Sequence, residues 1–561
     1  MNYKKHIASK IKIDGLSEQQ IEDFIINTVD NNFGDYSFPC FKLSSILRKS
    51  PVMIANDLAS KISTDEYIEK IESVNGYLNF TINRKNFTFD VLGNILNKKE
   101  SYGSSNVGNG KNIVIDYSSI NIAKPFHIGH LSTTVIGGAL YRIYKFLGYN
   151  VIGVNHLGDY GTQFGKLIYA YKTWGDKETV EQNGIKELTR LYVLYHEEAE
   201  KDPSIDDVAR EYFKKIENGD SECVQLFKWF KELTLKDVVK IYDKLDVKFD
   251  SFNGESFYFD KMDVVIDELK ERNLLIESDG AKIVDLSAYD MPPLLILRSD
   301  GASLYATRDL AAAYYRNKTY DFTKCLYVVA YQQNLHFKQL FKVLELLGKP
   351  FAKDMEHVAF GMVSLEDGTM STRKGKVVLL EDVINKCVEK AYSIINEKNP
   401  SLEDKQSVAE AVGTGAVIFG ALINSRIKDI VFSYDKVLNF EGETAPYVQY
   451  TYARCISLLQ KAGNIVGEYK VDNLLKQEYD LISMLAKFED VVLSSAEKNE
   501  PSLVTRYAVD VASLFNKFYF DCKILGEEEN VKNFRLAITL ATKTVIKNAL
   551  SLLGIKTPQK M

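Results

Sequence analysis

Seven histidines occur in the chain, and two of them, His127 and His130, flank the dipeptide Ile128-Gly129. Each imidazole can donate a hydrogen bond to a phosphate oxygen, and Gly129 has no side chain to obstruct a nearby nucleoside. A lone histidine is ordinarily a surface or satisfied core residue. A pair at this spacing where a helix begins points instead to phosphate binding, because free backbone N–H groups and the helix dipole favour an anion there. A second polar group, His156, Asp159 and Gln163, follows an apolar run and suits a substrate edge, with Gly158 and Gly161 shaping the turn. Further on, Gly361 to Lys376 carries an Asp367-Gly368 turn and a basic tail. This loop could close over a triphosphate or could simply be solvated.

The elements that must hold these residues can be read from the same stretch. Ile113, Val114 and Ile115 form a short apolar run of the length expected for a strand buried on both faces. A polar turn follows, Pro125 is suited to open a helix, and small and apolar residues recur at helical spacing from Leu131 to Leu147. A second apolar run, Val151 to Val154, comes after Gly148. Strand, turn, helix and strand in this order predict a parallel sheet that binds ligands at the carboxyl edge of its strands.

The string His127-Ile128-Gly129-His130 matches one signature of the class I aminoacyl-tRNA synthetases, and Gly361-Met362 with Met370-Ser371-Thr372-Arg373-Lys374-Gly375 resembles their second. NIAKPFHIGHL, NHLGDYGTQFG and LYATRDLAAA resemble the arginyl-tRNA synthetases in particular. The resemblance is densest between Ile115 and Gly375 and extends to Met561. It implies an α/β architecture: a Rossmann-like parallel-sheet catalytic domain, an N-terminal α+β accessory domain and a C-terminal all-helical anticodon-binding domain.

The activity it implies is arginine–tRNA ligation, in which arginine attacks the α-phosphate of ATP, pyrophosphate leaves, and a tRNA ribose hydroxyl takes the acyl group. ATP would be the co-substrate with Mg²⁺ as cofactor. Such chemistry depends mainly on positioning and charge stabilisation. A guanidinium presents a rigid fork of donors, so its pocket needs carboxylates. The resemblance assigns Asp116, Tyr305 and Asp309 to it, places Ser119 and Asn121 near the α-amino and carboxylate groups, and puts Gln333 nearby. Tyr305 and Asp309 are four apart at a helix opening and could share one face. A salt bridge with the neighbouring Arg308 is the alternative for Asp309. ATP would meet His127, Gly129, His130, Met370, Ser371, Arg373 and Lys374. One departure stands out: where the family signature reads Lys-Met-Ser-Lys-Ser, this chain has Thr369, Met370, Ser371, Thr372 and Arg373. Threonine cannot supply the second lysine's charge, and Lys124, three residues before His127, is the expected substitute.

Composition bounds the rest. A chain of 561 residues is too long for one core. The expected domains are 1–105 (accessory, tRNA-contacting), 111–380 (catalytic, with an insertion at about 175–292), 381–445 (helical connection) and 446–561 (helical, anticodon-binding). Asn75, Tyr77 and Asn79 match tRNA-contacting positions of the family's N-terminal domain, and the chain end at Met561 also resembles the family's. Tyr77 could stack on an unpaired base or be a half-buried strand aromatic. Trp174, Trp229 and Phe230 sit in helical apolar patterns and read as core. Gly413-Thr414-Gly415 follows a helical pattern, so close helix packing is expected there and not a dinucleotide loop. The net charge of −6 gives no global attraction to nucleic acid, so RNA would be held by local basic patches. The six cysteines form no Cys-x-x-Cys pair and suggest neither zinc nor disulfides. No apolar run reaches membrane-spanning length and the lysine-containing start lacks an apolar core. The expected partners are arginine and its cognate tRNA, without DNA or membrane, and the expected form is a cytoplasmic monomer.

Overall fold

The computed structural model describes residues 3–28, 33–122, 124–298, 305–366, 378–463 and 466–561. Thr369 to Lys374 and the Asp367-Gly368 turn therefore lie outside the described residues. Contacts divide the chain into two units. The first gathers Met1–Tyr102, Cys455–Phe488 and Asp510–Val545, and the second Gly103–Arg454, Glu489–Val509 and Ile546–Met561.

In the first unit, strands β1 (Ile26–Asn27), β2 (Tyr36–Pro39), β3 (Ile68–Val74) and β4 (Tyr77–Ile82) form an antiparallel sheet in the order β1-β2-β4-β3. Phe38, Leu78, Phe80 and Ile82 pack with Ile7, Ile21 and Ile54 as its core. The β3–β4 hairpin turns at Asn75-Gly76, both with positive φ (50° and 84°), as two-residue hairpins require. A Cβ at Gly76 would lie 2.8 Å from Pro51 Cβ, so only glycine fits. The short helix Ser44–Leu47 ends at Arg48, whose φ is 50°. A new helix, Pro51–Ala59, starts with the Ser50 hydroxyl accepting from the Met53 N–H.

The second unit holds the predicted parallel sheet. Strands β5 (Asn112–Asp116) and β6 (Asn150–Val154) are joined by the helix Leu131–Phe146. The three-stranded sheet of β7 (Leu275–Ser278), β8 (Ala281–Val284) and β9 (Leu294–Leu297) follows, then β10 (Lys324–Tyr327) and β11 (Met355–His357) complete the parallel order β11-β10-β5-β6. Ile113, Val114 and Ile115 are buried on both faces, as their uninterrupted apolar character predicts. The segment from Pro293, just past the expected insertion, does not join the parallel sheet. Its strand β9 pairs antiparallel with β8, extending the hairpin built on Asp279-Gly280.

The signature helix also begins later than Pro125 suggested. His127 is extended (φ −108°, ψ 170°) and bridges Leu379, a 3-10 turn runs Ile128–His130, and the α-helix opens at Leu131. The inserted segment is mostly helical, with Lys177–Asn183, Ile185–Lys201, Ile205–Glu217, Ser221–Lys244 and Met262–Glu271 before the hairpin. Phe230 is fully buried, while half-buried Trp229 and Trp174 pack edge-on against Tyr171 and Tyr169.

Beyond Leu380 helices dominate, but β12 (Val363–Leu365) pairs parallel with β13 (Ile430–Phe432), a strand the helical pattern had hidden. Gly413 allows close helix packing, since a Cβ there would meet the Val388 backbone at 2.6 Å. Among the described residues one helix, Glu529–Leu553, is long and apolar enough to cross a membrane, contrary to the expectation from apolar runs. The apolar window of that helix is 72% buried inside the protein.

Candidate active site

The histidine pair is organised by its own turn. The Gly129 N–H donates to His127 Nδ1 (3.1 Å), and the His127 N–H donates to His130 Nδ1 (3.2 Å). An amide N–H can only donate, so His127 Nδ1 accepts and its neutral ring carries the proton on Nε2, whereas His130 Nδ1 faces both the His127 N–H and the His127 carbonyl (3.3 Å) and fits either tautomer. Burial, with Lys124 adding to it, lowers the His127 pKa. Burial and the neighbouring His127 push His130 down to about 3. The two neutral rings, their centroids 4.0 Å apart, line a cleft of about 1010 Å³ together with Asn121, Lys124, Pro125 and Phe126. Gly129 lies on the same turn.

Asp116, at the carboxyl end of β5, is 5% exposed, and both carboxylate oxygens are engaged. Oδ2 takes Arg316 Nη2 at 2.7 Å and Oδ1 takes the Ser119 hydroxyl at 2.7 Å. The expected contact with a substrate guanidinium is thus filled by a guanidinium of the chain itself. Ser118 and Ser119 both adopt positive φ (68° and 40°), a conformation of order 1–3 kcal/mol above the ordinary one for each residue. It is held in place by hydrogen bonds. The Ser118 N–H donates to Thr133 Oγ1 at 2.9 Å, and its hydroxyl bonds Thr134 and Tyr242. Thr133 in turn donates to the Val328 carbonyl just beyond β10, so the signature helix ties both strand ends together.

Asp309 sits on the helix Tyr305–Tyr320 with a quarter of its side chain exposed. Its Oδ2 accepts from His336 Nε2 at 2.7 Å, and its Oδ1 faces His156 Nε2 at 3.7 Å. His156 Nδ1 lies 3.3 Å from Arg316 Nη2, so it accepts from the guanidinium and directs its own proton towards Asp309. Burial works against the charge of Asp309, but the hydrogen bond and charge of His336, with His156 and Arg316, outweigh it and hold its pKa below the usual range. Tyr305 packs on His336 with centroids 4.9 Å apart and is 54% exposed. The face shared by Tyr305 and Asp309 is therefore real, and His336 joins them. The alternative salt bridge is absent, because Arg308 pairs with Glu255 at 3.0 Å. Burial drives the Glu255 pKa up to about 7, with Arg308 opposing and Asp309 and Asp159 adding to the rise. Buried nitrogens without a hydrogen-bond partner cluster around this group: Arg316 Nε and Nη1, Arg308 Nε, His156 Nε2 and His336 Nδ1. Such groups are rare in folded interiors and mark a place suited to a polar ligand.

The remaining expected residues separate. Asn121 is exposed and bridges Gly158, where a Cβ would lie 2.3 Å from Asn121 Oδ1. Gln333 is exposed on the turn Tyr331–Gln333. Gln163 is tied to the Tyr160 carbonyl. Asp159 is no edge residue: fully buried, it takes Lys231 at 2.6 Å and both the N–H and the hydroxyl of Ser256, anchoring the inserted helices and the backbone beside Glu255. In the first unit Asn75 and Tyr77 are exposed. Asn79 is turned inward, its Oδ1 accepting from Ser37 at 2.7 Å. The Met561 carbonyl accepts from Asn399. Met370, Ser371, Arg373 and Lys374 are outside the described residues. Sequence reasoning missed Arg316, His336 and Glu255, whose partners lie 27 to 200 positions away with no local pattern. The one available signal was the rarity of histidine. Among the described residues no group of three or more His, Cys, Asp or Glu could hold a metal ion.

Residues 91–434 match the family model "tRNA synthetases class I (R), catalytic domain", residues 448–561 match "DALR anticodon binding domain", and residues 1–82 match "Arginyl tRNA synthetase N terminal domain". Arginine–tRNA ligase of Alkaliphilus metalliredigens is 52% identical over 564 residues, covering 100% of both chains. That of Clostridioides difficile is 52% identical with 98% of each chain covered. The solved arginyl-tRNA synthetase of Thermus thermophilus superposes with a TM-score of 0.83 at 26% identity over 96% of both chains. That of Plasmodium falciparum gives 0.81 at 25% identity, covering 100% of this chain and 98% of its own. With identity sustained across its full length and the catalytic model spanning more than half of it, the chain belongs to the arginine–tRNA ligase family of class I tRNA synthetases.

Proposed function

We propose that this protein joins L-arginine to its cognate tRNA at the expense of ATP, with Asp309 as the counter-ion of the substrate guanidinium. The observation that carries this reading is the partly exposed Asp309 carboxylate, kept ionised by His336, His156 and Arg316 and ringed by unpartnered buried donors. Tyr305 supplies an exposed ring beside it, Gln333 lies nearby, and Ser119 and Asn121 take the α-amino and carboxylate end. Asp116 acts through Ser119 and Arg316, fixing the turn in place of touching the guanidinium.

His127 donates its Nε2 proton to a phosphate oxygen of ATP and His130 places a second imidazole beside it, and their low pKa values keep both rings neutral at physiological pH. Gly129 leaves room for the nucleoside, Lys124 supplies charge near the leaving pyrophosphate, and Met370, Ser371, Arg373 and Lys374 are assigned to ATP through the family's second signature. Mg²⁺ has no ready cluster of protein ligands among the described residues, so it enters with the ATP phosphates, as is common for this ion. For tRNA, exposed Asn75 and Tyr77 are the first unit's contacts and Met561 a contact at the other end of the chain, whereas buried Asn79 supports the sheet. The segment division 1–105, 111–380, 381–445 and 446–561 is kept as the functional division, and a cytoplasmic monomer as the working form. The test is charging of arginine tRNA with each amino acid in turn. Arginine alone should be transferred, and transfer of a different amino acid, or none, would overturn the reading.

A further inference from the structure

Within the segment that matches the anticodon-binding model, the helices Phe488–Glu497 and Ser502–Asp521 are joined by a short turn that belongs to the second unit. At its centre Asn499 is fully buried and has a φ of 50°, a left-handed conformation that asparagine tolerates better than most residues. Both ends of its amide are occupied. Asn499 Oδ1 and the Ala496 carbonyl share the proton of the Tyr144 hydroxyl at 2.8 Å each, and Asn499 Nδ2 donates to Glu356 Oε1 on β11 at 2.8 Å. The Asn499 carbonyl accepts from Arg426 Nε at 3.0 Å, and Glu500 Oε1 accepts the Arg426 N–H at 3.1 Å.

These contacts reach both signatures from behind. Tyr144 lies in the last turn of the helix Leu131–Phe146, so a rod of about 20 Å connects it to the histidine turn at the other end. Arg426 holds the start of the second signature: its Nη1 donates to the Ala359 carbonyl at 2.8 Å, and its own carbonyl accepts the Gly361 N–H at 2.8 Å. The Phe360 carbonyl between them takes the Tyr331 N–H at 2.9 Å, which ties in the turn carrying Gln333. We propose that the turn at residues 496–500 is a shared abutment that sets the distance between the two signatures, with Tyr144 and Arg426 as its positioning residues. This rests on the arginine–tRNA ligase reading, in which both signatures meet one triphosphate. Their spacing counts most in the transition state, so its loss slows the reaction without weakening the ground state.

Full-length Tyr144→Phe, Arg426→Met and the double variant are compared by arginine-dependent ATP–pyrophosphate exchange with tRNA present. Each single variant should lose roughly 10–100-fold in kcat, the scale of a small misplacement, with the KM values for arginine and ATP nearly unchanged. The double variant should be no slower than the slower single one, because either loss already frees the spacing. Arg426→Lys, which keeps a donor near the same carbonyls, should recover part of the rate. A second readout needs no substrate: amide hydrogen exchange in residues 359–362. Tyr144 hydrogen-bonds none of these residues among those described, yet Tyr144→Phe should speed their exchange. Multiplying losses in the double variant, a raised KM in place of a lowered kcat, or unchanged exchange at residues 359–362 would overturn the proposal. If the unaltered protein showed no arginine-dependent pyrophosphate exchange, the ligase reading would fail, and amide exchange would decide the abutment by itself.

Discussion

The histidine turn and the Asp309 cluster both draw residues from beyond the carboxyl ends of parallel strands but are built in opposite ways. Within the turn, the Nδ1 atom of each ring bonds backbone two or three residues away, so the geometry is specified by HIGH and the helix that follows. The Asp309 cluster assembles Asp116, His156, Asp309, Arg316 and His336 from four separate stretches of chain, and its polarity is balanced only in the folded state. A turn of the first kind should tolerate changes elsewhere in the protein. One of the second kind should fail as a unit when any charge is removed.

The largest effect is therefore expected at Arg316, only 1% exposed and paired with Asp116, which is also buried. Arg316→Met leaves a buried carboxylate unpaired and should destabilise the fold by about 3–5 kcal/mol. Adding Asp116→Asn should recover much of this loss in denaturant titrations. If the double variant is no more stable than the single one, the pair is not the unit described.

At the turn, Lys124→Ala should slow adenylate formation by about 10²–10³-fold, the usual cost of losing one donor aimed at developing charge. Thr372→Lys in the same protein should restore part of the rate. Normal pyrophosphate exchange by Lys124→Ala would return the role to Arg373 or Lys374.

The smallest effect concerns pH. Glu255 binds its proton more tightly folded than unfolded, so its contribution to stability is complete below its ordinary pKa of 4.5 and is lost as pH rises through about 7. Glu255→Gln cannot ionise, and its melting temperature should fall less than that of the unaltered protein between about pH 5 and about pH 8. Parallel melting curves for the two proteins would disprove the assignment.

The contrast also explains what the chain revealed before its structure. Periodicity located β5, β6 and the helix between them, because burial on both faces or one stripe leaves a local imprint. Histidine spacing located the turn proposed to bind phosphate for the same reason. Pairing between distant segments leaves none: β9 looked like any buried strand, and nothing in PLLIL distinguishes an antiparallel partner of β8 from a parallel neighbour of β10. Asp116 and Asp309 were identified by family resemblance as equivalent pocket carboxylates. Folding separates them, since Arg316 covers one while the other keeps an exposed face.

That separation is most directly tested by steady-state kinetics of Asp309→Asn with arginine and ATP varied independently. Loss of the guanidinium's counter-charge should weaken arginine by about 2–5 kcal/mol, with the KM for ATP nearly unchanged. An unaltered KM for arginine in a folded Asp309→Asn protein would contradict the assignment of Asp309 as the residue that holds the substrate's guanidinium.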